Sequence, residues 1–288
     1  MYYSLFLFIA FFTICDIIQK EVIIMSNKLK KSLIATICKP IANSVNNIID
    51  KPTQNIGTTM ADIWYLVFGG VSQVAEKRKL KKFYALKEYE DQLKEKISKI
   101  PSDKIIEPDL QIVAPALEAS KYCILHKELI NLFSNLISSS MNKDFCNFVH
   151  PSFSEIIKQM TPLDAKNIYI FSQKSYYPIC NYRVYFRDTS FEDYYRNIFL
   201  SNTCEHDLVL QSISISSLER LGLVNIDFNT KVKADNYKDF EYTKLYKQLQ
   251  EDFKANNIPR AVDIKIVKGI VELTPYGELF IKSCVMSI

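Results

Sequence analysis

The sequence predicts a mainly α protein with a small β-hairpin (α+β), and three observations predict it. Ser212-Ile-Ser-Ile-Ser-Ser-Leu-Glu-Arg-Leu-Gly222 reads as a short helix closed by a glycine, after which Val224, Ile226 and Phe228 alternate as a strand. Gly269-Ile-Val-Glu-Leu reads as a second strand, and Thr274 with Pro275 opens a last helix in which Leu279, Phe280 and Cys284 face inward. Upstream of residue 150, apolar side chains recur at spacings of three and four. A helix, a hairpin and a closing helix are the end of a winged helix-turn-helix. The expected architecture is therefore a helical N-terminal region followed by a winged-helix-like C-terminal domain with a helical insertion.

The totals are those of an ordinary globular chain. Its 288 residues allow one large domain or two modest ones, with 48% hydrophobic and 24% charged residues. A net charge of +4 permits an anionic partner without demanding one. With 6 glycines, a glycine-cradled nucleotide site is not expected, and 17 Tyr with 18 Phe point to an aromatic-rich core. The 7 cysteines are dispersed and form no C-x-x-C pair, which favours buried free thiols over a disulfide framework or zinc ribbon.

Residues 1–24 form an apolar extension. Tyr2 to Ile18 is short for a membrane span, which takes roughly 20 residues, and lacks the basic lead and cleavage site of a secretory signal. It reads either as an anchor, with Lys20, Lys28, Lys30 and Lys31 placing the body on the cytoplasmic side, or as a mis-called start ahead of Met25. Residues 25–149 read as a helical region that includes a long amphipathic helix at about 58–99. Thr59 and Asp62 begin it, Ile63, Leu66, Val67, Val71 and Val74 make an apolar face, and Gly69-Gly70 interrupt it. Lys77-Arg-Lys-Leu-Lys-Lys82 follows, and Leu86, Tyr89, Leu93, Ile97 and Ile100 continue the stripe. The basic run suits a solvated face, a membrane surface or nucleic acid. Leu110 to Met141 reads as two helices.

Residues 150–288 read as the winged-helix-like domain with an insertion at about 229–261. Thr161-Pro162-Leu163-Asp164 carries a cap, an N1 proline and an acidic N3. Tyr176 to Arg187 suits a strand or an ordered loop, and Phe191 to Leu200 is helical in pattern. Ser212 or Ser214 is the expected cap of the next helix. The inserted segment has its own helix at Tyr242 to Asn256, and the chain returns through Val262, Ile264 and Ile266 to a turn near Lys268-Gly269.

With these residues placed, the chain resembles the Abi-alpha family, a bacterial group of abortive-infection proteins. Four blocks carry the likeness: Ala61-Asp-Ile-Trp-Tyr-Leu-Val-Phe-Gly-Gly70; Ile100-Pro101 with Glu107-Pro108; Asn131 to Met141 running on to His150-Pro-Ser-Phe; and Leu273-Thr-Pro-Tyr-Gly-Glu-Leu-Phe-Ile-Lys282. The likeness spans roughly Thr58 to Cys284. It implies a role in defence against phage and transfers no catalytic residues.

Chemistry-bearing patterns are sparse. Asp263-Ile264-Lys265 is half of a metal-dependent nuclease motif without its acidic partner, and a strand with alternating charges explains it better. Cys204-Glu205-His206-Asp207 gathers metal-binding types, but adjacent residues cannot all converge on one ion. No H-E-x-x-H, G-x-S-x-G or P-loop is present. In the Ser212–Gly222 helix the expected exposed positions are Ser212, Ser214, Ser216, Ser217, Glu219 and Arg220. One Arg beside a Glu is a poor set for reading bases.

The expected function is therefore a non-enzymatic phage-defence component acting through protein–protein or membrane interaction, with a winged-helix DNA-binding regulator as the alternative. No catalytic residue, cofactor, metal or small-molecule substrate is expected. The candidate interaction surface is Trp64, Phe68, Gly69, Gly70, Lys77, Arg78, Lys79, Lys81, Lys82 and Arg220. Its expected partner is another protein or a second copy of the chain, ahead of a membrane surface and nucleic acid. The expected location is cytoplasmic or at the inner face of the membrane.

Overall fold

The computed structural model describes residues 54–68, 76–205 and 207–286, with side chains placed at 59–60, 62–68 and from 81 onward. The apolar run at residues 2–18, the Met25 start and Gly69-Gly70 lie outside the described residues. The chain divides into two compact units, Met1–Tyr84 and Ala85–Ile288.

In the first unit, helix α1 spans Gln54–Phe68. Met60, Ile63, Trp64 and Phe68 are buried on it, and the Trp64 and Phe68 rings meet at 4.5 Å. Helix α2, Glu76–Ser98, begins in this unit and ends in the other. Lys81 and Lys82 are exposed on its first half. Among the described residues no helix is long and apolar enough to cross a membrane.

The second unit is α+β. Leu86, Tyr89, Leu93, Ile97 and Ile100 are all buried, as their spacing predicts. Helices α3 (Leu110–Cys123) and α4 (Lys127–Ser140) follow as expected. The Asp109 carboxylate caps α3 by accepting from the Gln111 amide at 2.8 Å. Because α3 begins at Leu110, Pro115 falls one turn deeper than a helix-start proline would. Eleven of the 14 residues of α4 are buried, so it is the central helix. Three side-chain pairs, Glu88–Lys127, Gln92–Asn131 and Lys96–Asn135, step along α2 and α4 together. Both members advance four residues per rung, so the two helices run parallel.

Short helix α5 (Phe153–Gln159) leads to α6 (Pro162–Phe171). Thr161 and Asp164 form the capping box that their spacing predicts. At the start of α5, Ser152 bonds to both His150 and Tyr276, and the Phe153, Tyr276 and Phe280 rings pack together. The His150-Pro-Ser-Phe and Thr274-Pro-Tyr-Gly motifs, more than a hundred residues apart, thus meet in space.

The sheet is where the sequence reading needs correction. It has four antiparallel strands in the order β2-β1-β4-β3: β1 Tyr176–Phe186, β2 Phe191–Ile198, β3 Val224–Asp227 and β4 Ala261–Leu273. Phe191–Ile198 is therefore a strand, not a helix. Its sequence fits either period, and pairing with β1 (Tyr185 to Phe191, Arg183 to Asp193) decides the matter. Nor is there a turn at Lys268-Gly269. β4 runs through it, and Gly269 lies opposite Ile179. A Cβ there would sit 2.6 Å from the Phe228 ring and 2.8 Å from the Asp227 carbonyl oxygen, so this glycine admits a neighbouring chain rather than bending its own. In place of a small hairpin, β3 pairs with the last residues of β4, and β1 pairs along nearly the whole of it.

The insertion covers one face of the sheet. A 3₁₀ segment (Ala234–Tyr242) and helix α8 (Lys244–Lys254) pack Tyr237, Phe240, Tyr246 and Leu249 onto Cys180, Tyr182 and Val184. Tyr182 donates to the Phe240 carbonyl and Tyr237 to the Gly269 carbonyl, both at 2.8 Å. Beyond β4, helix α9 (Pro275–Phe280) begins at the Thr274 cap, as predicted. It runs into a π-helical turn, Ile281–Val285, that docks on α4. There Asn135 donates to the Cys284 carbonyl at 2.9 Å and Ser139 to the Ser283 carbonyl at 2.9 Å.

Candidate interaction surface

Helix α7, Leu208–Arg220, is the element on which the functional reading turns. The Asp207 carboxylate caps it, accepting from the Val209 and Leu210 amides at 2.9 and 3.2 Å. Neither Ser212 nor Ser214 is its cap, because both lie inside the helix. Gly222 closes it at φ +74°, in the left-handed region expected of it.

The extra turn at the N-terminus re-orients the helix. Four serines expected at the surface are instead bonded to neighbouring elements. Ser214 donates to Asp164 Oδ1 at 2.6 Å, and Ser217 donates to Asp164 Oδ2 at 3.3 Å. The Asn167 amide donates to Gln211 Oε1 and Ser214 Oγ at 3.0 and 2.8 Å, and itself accepts from Asn202 at 2.6 Å. Asp164, Asn167, Gln211 and Ser214 are buried, and their bonds lock α7 against α6. On the other flank Ser212 donates to the Arg196 carbonyl at 2.6 Å, and Ser216 accepts from Asn197 at 3.0 Å, which ties α7 to β2.

What α7 turns outward is aliphatic. Val209, Leu210 and Ile213 are 45%, 46% and 59% exposed. Val209 and Ile213 lie four residues apart, on one face, and Arg220 continues that face seven residues on. A helix that buries an amide–carboxylate network and exposes three aliphatic side chains reverses part of the usual polarity, although Ile215 and Leu218 still reach the core. Sequence reading missed Val209, Leu210 and Ile213 because it began the helix at Ser212. Asp207 as cap was the signal that would have included them.

The expected surface residues fall in different settings. Trp64 is 1% exposed and Phe68 is buried with it, whereas Tyr65 and Leu66 are exposed apolar side chains of α1. Lys81 and Lys82 are exposed. Gly69 and Gly70, and the side chains of Lys77, Arg78 and Lys79, lie outside the described residues. Arg220 is exposed and donates to Gln159 Oε1 at 3.1 Å, so its guanidinium also bridges α7 to α5. Lys81 and Lys82 fall in the first unit and Arg220 in the second.

No group of metal-binding side chains converges among the described residues. Asp263 pairs with its neighbour Lys265 at 3.1 Å, as a charged strand face would. His206 lies outside the described residues. Among the described cysteines none is in a disulfide: Cys123, Cys180 and Cys284 are buried, Cys146 is half-buried, and Cys204 is exposed. Burial pushes the Cys180 and Cys284 thiols far above the ordinary thiol range, which leaves them un-ionised and poorly nucleophilic.

The fold and this surface define a mainly helical α+β protein with a four-stranded antiparallel sheet and an outward-facing aliphatic helix. A family model described as Abortive infection alpha matches residues 81–284, and the chain belongs to that family. The match begins at Lys81, so it leaves out the Ala61–Gly70 block and takes in the insertion over the sheet. No curated protein and no solved structure matches the chain.

Proposed function

We propose that this chain is an abortive-infection phage-defence component that works by protein contact rather than by a reaction of its own. Membership of the Abortive infection alpha family supports the defence role. The observation that carries the mode of action is α7, whose outward side chains Val209, Leu210 and Ile213 suit a protein surface. A second reading, attachment to a membrane surface, has its own support in the outward Tyr65 and Leu66 of α1 and the exposed Lys81 and Lys82 of α2. The DNA-binding alternative gains nothing from α7, because the serines it would offer to bases are bonded within the fold and Arg220 contacts Gln159.

The test is phage challenge of bacteria carrying the gene, comparing full-length and Met25-start versions for protection and growth arrest. Protection by either version supports defence, and its absence from both contradicts it. Co-sedimentation with anionic vesicles decides between the modes of contact. Full protection by a version that never binds vesicles removes the membrane reading.

A further inference from the structure

We propose that Ser152 is a covalent modification site, a hydroxyl that takes an acyl group from an activated ester with His150 as its base. The inference goes beyond the protein-contact reading and does not rest on it, because the chain is here the acceptor of a group and not the catalyst of a turnover. The site lies at the joint where the His150-Pro-Ser-Phe and Thr274-Pro-Tyr-Gly motifs meet.

The direction of the hydrogen bonds is the first support. Ser152 meets the His150 ring at Nδ1 twice, through its Oγ at 2.7 Å and through its backbone N–H at 3.2 Å. A backbone N–H can only donate, so Nδ1 is the unprotonated nitrogen of the ring and the imidazole proton sits on Nε2. The Ser152 hydroxyl therefore donates to Nδ1 as well. With its proton engaged there, Ser152 Oγ is the acceptor in its contact with Tyr276, and the phenol donates. The bonds run from Tyr276 to Ser152 to His150, the direction that draws the proton off the serine and stabilises the oxygen left behind. A serine that only joined the two segments would serve as well with its proton turned to Tyr276.

Placement is the second. His150 is exposed, and Ser152 and Tyr276 are half-buried, so a reagent reaches the pair and the proton can leave from His150 to water. The imidazole is nonetheless held. The Phe153 and Tyr276 rings lie 5.8 and 5.6 Å from it, and Phe153 is buried against Phe280. A nucleophile within hydrogen-bond reach of a base, with the base oriented by its surroundings, is what an activated serine requires.

The step follows from these roles. Ser152 Oγ attacks the carbonyl carbon of the ester, and an oxygen–carbon bond forms. The bond from that carbon to the leaving oxygen breaks, and the leaving group departs with its electron pair. The serine proton passes to His150 Nδ1 and on to water. Tyr276 is a positioning residue that acts through Ser152. Acylation removes the proton that Ser152 donates to His150, so the modified joint has lost one of its bonds.

The experiment treats the full chain with p-nitrophenyl acetate and maps the acetyl groups by peptide mass spectrometry over time. In the folded wild type Ser152 is expected to acetylate about a hundredfold or more faster than the exposed Ser102, and faster by the same factor than Ser152 in the chain unfolded by guanidinium. His150→Gln should remove that advantage, with circular dichroism melts checking that it folds. Tyr276→Phe keeps the ring and should slow Ser152 by only about tenfold. Should His150→Gln fail to fold, the comparison of Ser152 with Ser102 inside the wild type still decides. Acetylation confined to lysines, or Ser152 no faster than Ser102, overturns the site. A fast Ser152 that a folded His150→Gln leaves unchanged overturns His150 as the base.

Discussion

Two helices of this protein, α4 and α7, are rich in serine, and they use it in opposite ways. In α4 the hydroxyls mostly turn back on their own helix: Ser134 donates to the Ile130 carbonyl, Ser138 to Asn135 and Ser140 to Ile137. There serine is a small residue that lets neighbours approach a central helix, with its hydroxyl satisfied locally. Of these serines only Ser139 reaches out, and it and Asn135 donate to the carbonyls of the C-terminal turn. In α7 the Ser212, Ser214 and Ser217 hydroxyls donate to other elements, while Ser216 donates back to the Ser212 carbonyl and accepts from Asn197, and α7 is oriented by these bonds. The difference lies in the partner: a carboxylate at Asp164 and carboxamides at Asn167 and Asn197 stand across from the serines of α7, whereas Ser134, Ser138 and Ser140 of α4 have carbonyls of their own helix as partners.

The contrast predicts a ladder of stabilities, readable by chemical or thermal melts. Asp164→Ala should cost the most, about 3–4 kcal/mol, since it removes the carboxylate half of the capping box of α6 and the acceptor of the Ser214 and Ser217 hydroxyls. Asn135→Ala should cost about 2 kcal/mol, because the Cys284 carbonyl and the half-buried Lys96 ammonium both lose their partner. Ser214→Ala should cost about 1–2 kcal/mol, whereas Ser138→Ala or Ser140→Ala should stay within about 0.5 kcal/mol. Equal losses at Ser214 and Ser140 would break the distinction between the two helices.

A smaller effect tests a buried carboxyl on α2, Glu90. Burial, opposed by Lys94, raises the Glu90 carboxyl above its ordinary value of 4.5. The folded state thus favours protonated Glu90, and the resulting stabilisation is full below 4.5 and lost as pH rises through the raised value. Glu90→Gln should therefore be more stable than wild type at neutral pH, with the advantage closing as the solution is acidified. A variant less stable than wild type at neutral pH would show that the Lys94 pair outweighs burial.

Features whose determinants are local were legible in the sequence. The Thr161–Asp164 box, the Thr274-Pro275 start, the left-handed Gly222, the paired helices across Leu110–Met141 and the buried stripe from Leu86 to Ile100 all follow from neighbours within a turn. What failed depended on distant partners. Phe191–Ile198 has no local reason to be a strand until β1 lies beside it. Gly269 looks like a turn until Phe228 and Asp227 are seen packed against its α-carbon. The serines of α7 look like a solvent face until Asp164 and Asn167 arrive from α6. One local signal was also misjudged. Asp207 stands in the sequence among metal-binding residue types, but it caps α7, which places Val209, Leu210 and Ile213 inside that helix.

The central claim is that the outward aliphatic face of α7 is what the protein acts through. Phage challenge of cells carrying Ile213→Glu, beside wild type at matched protein level and matched melting temperature, tests it most directly. Loss of protection by a folded Ile213→Glu protein is the predicted result. Protection equal to wild type would contradict the account.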